Sequence, residues 1–155
     1  MKSKNAQAMT ILMADDDDDD RLMTQDALAE SRVLNDFKYV SDGVELLSYL
    51  RREGKYADDI KYPLPSLILL DLNMPRKDGR EALMEIKSDK VLRRIPVVIL
   101  TTSKEQEDKI RGYDLGAASF ISKPVSFDGL VELMKALGRY WVEFVEFPVN
   151  NSLEG

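Results

Sequence analysis

The sequence predicts a single α/β domain built around a parallel β-sheet, and two observations lead to this prediction. Leu67–Leu70 is an uninterrupted apolar run that ends at Asp71 and is soon followed by Pro75. Such a run is typical of a strand covered on both faces, as at the centre of a parallel sheet. Similar runs alternate along the chain with stretches of helical periodicity. This alternation indicates right-handed crossovers, with helices on both faces of the sheet.

Five strands and five helices are predicted in alternation along the 155 residues. The strands are the short apolar runs Thr10–Ala14, Phe37–Val40, Leu67–Leu70, Ile95–Leu100 and Ser119–Ile121. We predict a flavodoxin-like (βα)5 fold, a doubly wound parallel sheet with strand order 2-1-3-4-5. In that order the first strand lies beside the third, and their carboxyl ends meet where ligands bind in open α/β sheets.

Helix starts are indicated by residue pairs with the spacing of a capping box. These pairs are Asp42 with Glu45, Asp78 with Glu81, and Ser103 with Gln106, the last opening a helix that Gly116 closes. The first helix is expected to follow the aspartate run 15–20, and the last to span Phe127–Phe144. Helical spacing predicts buried faces made of Leu22, Met23, Ala27 and Leu28 in the first helix, Val44, Leu46, Leu47 and Leu50 in the second, Ala82, Leu83 and Ile86 in the third, and Phe127, Leu130, Val131, Met134, Leu137, Trp141 and Phe144 in the last.

The composition excludes several classes of function. There is no histidine and no cysteine, so the chain itself holds no disulfide, no zinc site of the usual kind, no histidine-dependent triad and no histidine phosphoacceptor. The net charge of −6 disfavours a nucleic-acid partner, because phosphate neutralisation needs clustered Lys and Arg. No apolar run reaches the ~20 residues of a membrane span, and residues 1–9 lack the apolar core of a signal peptide. We therefore expect a cytoplasmic protein with no membrane partner.

Polar or charged side chains that could act together in one site follow four of the predicted strands. Asp15 and Asp16 follow the first strand, Asp71 the third, Thr101 the fourth and Lys123 the fifth. Carboxylates at one rim raise each other's pKa, and a divalent cation resolves the repulsion. Hard oxygen ligands with few protein carboxylates suit Mg²⁺, which commonly bridges to a phosphoryl group. A carboxylate nucleophile, a metal, a hydroxyl and an ammonium group together indicate phosphoryl transfer.

At these positions the sequence resembles the receiver domain of two-component response regulators, the CheY-like superfamily. The resemblance covers residues 10–144 and depends on motifs that agree in order and spacing: Asp15-Asp16, Asp71-Leu72-Asn73-Met74-Pro75 with Asp78-Gly79, Thr101, and Phe120-Ile121-Ser122-Lys123-Pro124. Within the superfamily it resembles the stand-alone regulators that accompany phytochromes. The stretches that suggest this are the loop 54–65, Asp78-Gly79-Arg80-Glu81, and residues 95–103 and 141–148.

The resemblance implies a single-domain response regulator that accepts a phosphoryl group on Asp71. The donor would be a sensor histidine kinase, with a phytochrome as one candidate, or a phosphotransfer protein. Mg²⁺ would be bound by Asp16, Asp71 and the backbone carbonyl of Asn73, with Asp15 acting mainly through water. The protein would not be an enzyme for other substrates, and would catalyse only its own phosphorylation and dephosphorylation.

The same resemblance assigns roles to three residues beyond the acidic cluster. Thr101 would hydrogen-bond one phosphoryl oxygen, Lys123 would pair with another, and Phe120 would act as the aromatic switch. The Lys123-Pro124 peptide bond would be cis, which X-Pro bonds allow. Phosphorylation would reshape the face formed by the predicted fourth helix, fifth strand and fifth helix. That face would bind a downstream protein effector or a second copy of the chain in a homodimer.

Two alternatives from other classes remain open. An aspartyl-phosphate phosphatase of the haloacid dehalogenase type uses similar groups, but its nucleophile follows the first strand. A receiver-fold interaction module that is never phosphorylated would be expected to lack Asp71, Lys123 or the acidic pair. The boundaries that we predict are an N-terminal extension over residues 1–9, a receiver domain over 10–147, and a tail over 148–155 whose end looks like residues added by cloning.

Overall fold

The computed structural model contains a five-stranded parallel β-sheet with helices on both faces. It describes residues 9–31, 35–72, 74–101, 119–124 and 126–140. The strands are β1 (Met9–Ala14), β2 (Asn35–Val40), β3 (Leu67–Asp71), β4 (Val97–Thr101) and β5 (Ser119–Ser122). All neighbouring pairs are parallel and the order is β2-β1-β3-β4-β5, which confirms the predicted fold class and strand order.

The central strand β3 is buried on both faces. Successive side chains of a strand point to opposite faces of the sheet. Ile68 and Leu70 accordingly pack into one hydrophobic core, and Leu67 and Leu69 into the other. A strand that faces two cores is apolar at every position, which explains its uninterrupted run. Asp71 is the first polar residue of this strand and lies at the carboxyl rim of the sheet.

The helices cover both faces and divide the core in two. They are α1 (Asp18–Ser31), α2 (Gly43–Leu50), α3 (Gly79–Ser88) and α4 (Phe127–Tyr140), with short 3-10 helices at Gly54–Ala57 and Leu92–Arg94. Side chains of α2 and α3 pack into one core, and those of α1 and α4 into the other. The helix predicted from Ser103 to Gly116 lies outside the described residues, so α4 is the fifth helix of the sequence prediction. None of the described helices is long and apolar enough to cross a membrane.

Two of the three predicted capping boxes have their caps in place. Asp42 accepts a hydrogen bond from the Glu45 backbone N–H at 2.8 Å, and Asp78 accepts one from the Glu81 N–H at 3.0 Å. Both contacts satisfy backbone donors that the first turn of a helix leaves unpaired. The third box, Ser103 with Gln106, lies outside the described part of the chain.

The predicted buried face of α1 is partly wrong. Ala27 and Leu28 are buried as expected, whereas Leu22 and Met23 are 59% and 41% exposed. The buried residue of the preceding turn is Thr24. It lies three and four positions before Ala27 and Leu28, so it continues their stripe on the helix surface. The spacing of apolar residues alone does not determine how the helix docks on the sheet. Here the docking buries a polar side chain, that of Thr24.

The other helical faces agree more closely with the prediction. The predicted side chains of α3 are all buried, but Val44 of α2 is 38% exposed and Tyr49 is buried in its place. The Tyr49 hydroxyl donates a hydrogen bond to the Pro63 carbonyl at 2.8 Å, so the loop before β3 covers this side of α2. In α4, Phe127 is 39% exposed, whereas the predicted residues Leu130, Val131, Met134 and Leu137 are buried. Trp141 and Phe144 lie outside the described residues.

Candidate functional site

Three carboxylates meet at the carboxyl rim of the sheet. Asp15 directly follows β1, Asp71 ends β3, and these two strands are neighbours. One carboxylate oxygen from each of Asp15, Asp16 and Asp71 lies within 4.8 Å of the others. Asp15 is fully buried, Asp71 is half-buried and Asp16 is exposed. The strand order therefore brings together the acidic residues that the sequence analysis singled out.

Asp15 is buried without full compensation of its charge. Its Oδ1 accepts a hydrogen bond from the Asp17 N–H at 2.9 Å, and its Oδ2 lies 3.3 Å from Lys123 Nζ. Burial raises the pKa of Asp15, and the nearby Asp20 charge adds to this effect. The Asp17 hydrogen bond and the Lys123 charge lower the pKa only in part, so it stays above its usual value. A further positive charge at this rim would stabilise the ionised form.

Lys123 supplies one positive charge next to the cluster. It follows β5, and its ammonium group donates hydrogen bonds to Asp20 Oδ2 at 2.8 Å and to Asp15 Oδ2 at 3.3 Å. Burial lowers the pKa of Lys123, but the Asp20 hydrogen bond and the charges of Asp15 and Asp71 outweigh it. The pKa is therefore raised, and the side chain is a protonated ammonium group.

Asp20 is the residue of this site that sequence reasoning missed. The sequence analysis gave Asp20 no role beyond its place in the aspartate run, and only the structure shows its carboxylate in contact with Lys123. Asp17 fixes the turn, because its Oδ1 accepts hydrogen bonds from the Asp19 N–H at 2.9 Å and the Asp20 N–H at 3.2 Å. A run of identical residues carries no signal for which member faces the sheet, since the docking of α1 decides it.

Arg21 connects the ends of β1 and β2 behind the carboxylates. Its Nη1 donates to the Asp15 carbonyl at 3.2 Å and to Ser41 Oγ at 3.0 Å, and its guanidinium lies 4.2 Å from the centre of the Tyr39 ring. A guanidinium packed on an aromatic face is held by cation–π attraction as well as by hydrogen bonds. Arg21 therefore fixes the backbone that carries Asp15.

The structure locates the remaining predicted site residues only in part. Thr101 ends β4 and pairs with Ser122 of β5, while Phe120 lies within β5. The side chains of Thr101 and Phe120, and the whole of Asn73, lie outside the described part of the structure. Their predicted roles remain predictions.

The predicted cis isomer of the Lys123-Pro124 bond is wrong for this structure. No cis peptide bond occurs among the described residues, which include both partners, so the bond is trans. The tertiary amide of an X-Pro bond keeps the two isomers within about 1 kcal/mol of each other, and tertiary context selects between them. The dipeptide alone therefore does not fix the isomer.

The acidic cluster fits a divalent cation. Its donors are carboxylate oxygens, the ligand type that hard cations prefer. Burial keeps the pKa of Asp15 raised although Lys123 lies 3.3 Å away, so a cation bound to this carboxylate would stabilise its ionised form. Asp16 is exposed, so a bound ion there would also keep contact with water.

Comparison with known proteins agrees with the fold and identifies the family. Residues 11–135 match the family described as the response regulator receiver domain. The chain is 35% identical over 148 residues to the response regulator Rcp1 of Synechocystis sp., covering 96% of this chain and 99% of that protein. It is also similar to the solved structure of the phosphorylated cyanobacterial phytochrome response regulator RcpA, with a TM-score of 0.77, 42% identity, and coverage of 88% of this chain and 96% of that one.

A second solved structure carries a metal ion. The Mn²⁺-bound form of response regulator Rcp1 has a TM-score of 0.74 and 36% identity, with coverage of 88% of this chain and 96% of that chain. The receiver-domain match spans most of the chain, and these relatives agree with it in sequence and in strand arrangement. The chain belongs to the response regulator receiver domain family and is a phosphoacceptor response regulator.

Proposed function

We propose that Asp71 is the residue that accepts the phosphoryl group, and that Mg²⁺ is the ion of the acidic cluster. The observation that carries this proposal is the convergence of Asp15, Asp16 and Asp71 beside Lys123. Asp71 stands at the end of the central strand, where open α/β sheets place their reactive groups.

The proposed reaction moves a phosphoryl group from a phosphohistidine to Asp71. An Asp71 carboxylate oxygen forms a bond to phosphorus while the bond from phosphorus to the histidine nitrogen breaks, and the released imidazole takes a proton from solvent. Asp15, Asp16 and Asp71 would hold Mg²⁺, which would neutralise charge on the phosphoryl oxygens and the carboxylates. Lys123 then exchanges one of its carboxylate contacts for a phosphoryl oxygen, which retains its charge pairing.

Three further residues have proposed roles around the transferred group. The Asn73 backbone carbonyl would complete the set of metal ligands with Asp15, Asp16 and Asp71. Thr101 moves toward the phosphoryl group and donates a hydrogen bond from its hydroxyl to a phosphoryl oxygen. Phe120 is the aromatic switch, which turns inward when Thr101 moves. Support for Thr101 comes from the place of its backbone at the end of β4, the strand next to β3.

The partners follow from the family and its relatives. We propose a sensor histidine kinase as phosphodonor, directly or through a phosphotransfer protein, and a downstream protein as the reader of the phosphorylated state. A phytochrome is the first kinase to test, since RcpA, at 42% identity, is a cyanobacterial phytochrome response regulator. Residues 10–147 form the proposed receiver unit. We propose that switching produces a homodimer through the predicted fourth helix, β5 and α4.

The experiment that tests this function is labelling by acetyl phosphate. With Mg²⁺, the wild-type chain should gain one phosphoryl group per molecule, detected by intact mass, and Asp71→Asn should gain none. Asp19→Asn is the matched control, because it removes the same charge from an exposed position of α1. Undiminished labelling of Asp71→Asn would overturn the assignment of Asp71.

A second measurement, turnover of p-nitrophenyl phosphate, separates this function from the phosphatase alternative. A receiver takes up a single equivalent of phosphate and releases it slowly, whereas a phosphatase releases phosphate from a substrate continuously. Steady turnover of p-nitrophenyl phosphate would favour the haloacid dehalogenase type. The family match does not favour that alternative, and the candidate nucleophile follows the third strand rather than the first.

A further inference from the structure

The start of α2 is joined to the loop after Asp71 by an ion pair. Arg76 Nε donates a hydrogen bond to Asp42 Oδ2 at 2.8 Å, and its Nη2 lies 2.8 Å from the same oxygen. The other oxygen, Oδ1, caps α2 through the Glu45 N–H. The two oxygens of Asp42 therefore have separate partners, one inside the helix and one in the loop.

Backbone contacts bring the same two segments together. The Gly43 N–H donates to the Lys77 carbonyl at 2.9 Å, and a Cβ at Gly43 would lie 2.1 Å from that oxygen. The approach therefore requires glycine at this position. The loop is also closed on itself, because the Gly79 N–H donates to the Leu72 carbonyl at 3.0 Å and a Cβ at Gly79 would lie 2.6 Å from the Asp71 carbonyl.

Arg76 adopts a backbone conformation that needs outside support. Its φ of +65° lies in the left-handed region, which L side chains other than Asn and Asp rarely adopt. Such conformations persist only where the surrounding structure determines them, and they cluster at functional sites. Arg76 contacts Asp42 from this conformation. It lies three residues before Gly79, whose backbone lies close to the Asp71 carbonyl.

Asp42 is well suited to pair with the Arg76 guanidinium. Its side chain is 11% exposed, whereas that of Arg76 is 59% exposed. Burial raises the pKa of Asp42, but the hydrogen bonds from Arg76 and from the Glu45 N–H, together with the Arg76 charge, outweigh it. The pKa therefore lies below its usual value, so the carboxylate is ionised when it binds Arg76.

We propose that the Asp42–Arg76 pair is a positioning element for the phosphorylation site. It holds the loop between Asp71 and α3 in the conformation that the metal and the phosphoryl group require. Neither side chain belongs to the acidic cluster, so both are positioning residues and not catalytic ones. The inference rests on the proposed function of Asp71 and adds a dependence of that site on the start of α2.

The test uses Arg76→Ala in the full chain with two readouts. Hydrogen exchange of the Gly43 and Gly79 amides, measured by NMR without metal, reports directly on the loop. It should become about twofold to fivefold faster, as expected for loss of a partly exposed ion pair. Mg²⁺ affinity, measured by calorimetry, should fall by about threefold or more, since groups that orient ligands commonly affect affinity by about tenfold or more.

Arg51→Ala is the matched control. Arg51, at the end of α2, pairs with Glu85 of α3 at 3.0 Å. Glu85 also pairs with Lys77 of the loop, and that second pair is kept when Arg51 is removed. Loss of Arg51 should leave both readouts unchanged. Arg76→Lys should restore part of the effect, because lysine keeps the charge but not the two nitrogen contacts. Asp42→Asn keeps a capping oxygen and removes the charge, so it should reproduce the loss, and the double variant should be no worse than either single one.

The outcomes separate this inference from the proposed function. Faster exchange and weaker Mg²⁺ binding in Arg76→Ala, with Arg51→Ala unchanged, support the positioning role. Wild-type exchange and wild-type Mg²⁺ affinity in Arg76→Ala would overturn it, even if acetyl phosphate labels Asp71 normally. Equal losses in Arg76→Ala and Arg51→Ala would also overturn it, since they would indicate a general effect on helix packing. Failure of the wild-type chain to become labelled would instead overturn the function of Asp71.

Discussion

Asp15 and Asp42 lie near the carboxyl ends of the neighbouring strands β1 and β2, but their pKa values are shifted in opposite directions. Both are buried. Asp42 has the Arg76 guanidinium and a helix N–H as partners, and its pKa is lowered although burial acts against this. Asp15 has two further aspartates beside it and shares Lys123 with Asp20, and burial leaves its pKa raised.

The difference separates a carboxylate whose charge is balanced within the chain from one that we propose as a metal ligand. At Asp42 the protein itself provides the hydrogen bonds and the charge that a buried carboxylate needs. At Asp15 it provides less, so a cation bound there would stabilise the ionised carboxylate. A buried carboxylate is therefore informative about function when its partners within the chain do not balance its charge.

The largest expected effect is the response to metal. Mg²⁺ at about one hundred times its dissociation constant should raise the free energy of unfolding of the wild-type chain by about 2.7 kcal/mol, because it binds only the folded state. Asp42→Asn should keep most of this increment, and Asp15→Asn should lose most of it. Urea unfolding with Mg²⁺ and with EDTA measures both. An equal response of the two variants would break the comparison.

The next effect concerns the backbone contact beside Asp42. Gly43→Ala places a Cβ against the Lys77 carbonyl, a backbone atom that moves only with the loop, so the free energy of unfolding should fall by about 1–3 kcal/mol. Gly129→Ala is the control, because its Cβ would meet side-chain atoms of Pro124 and Ser126 at 3.1 Å. Urea denaturation should show the larger loss for Gly43→Ala, and equal losses would contradict the close approach.

The same substitution should lower stability at Asp42 but not at Asp15. Without metal, Asp42→Asn removes an ion pair and should lower the free energy of unfolding by about 0.5–1 kcal/mol. Asp15→Asn removes one of three crowded negative charges, so it should leave stability unchanged or raise it. Thermal unfolding in EDTA at neutral pH gives the sign for each, and a lower melting temperature for Asp15→Asn than for Asp42→Asn would refute this account.

The smallest effect is a dependence on pH. The pKa of Asp42 is lower in the folded state than in the unfolded one, where it is about 3.9. Its contribution to stability is therefore fully present above that value and is lost as the pH falls through the folded pKa. The difference in melting temperature between wild type and Asp42→Asn should shrink on acidification from neutral pH to about pH 3. A difference that grows would mean that the shift has the opposite sign.

The sequence was sufficient for the features that depend on local pattern or on strand order. The apolar run before Asp71 predicts a central strand, and the alternation of elements predicts the order that brings Asp15 to Asp71. The caps at Asp42 and Asp78 follow from residue type and spacing. These are short-range properties of the chain, or consequences of a small number of allowed topologies.

The features that were missed depend on how preformed elements pack. The exposure of Leu22 and Met23, the contact of Asp20 with Lys123, the trans bond before Pro124 and the positive φ of Arg76 were not evident from residue type. Each is decided when a helix or loop docks on the sheet. Docking balances many weak contacts between residues far apart in sequence.

The sequence by itself therefore determined which groups reach the rim of the sheet, because strand order and chain direction fix the strand ends. Only the tertiary structure decided which of those groups neutralise one another. Charge balance depends on distances of a few ångströms and on burial, as the contrast between Asp15 and Asp42 shows. Those quantities exist only once α1, α2 and the loop after Asp71 have packed against the same edge.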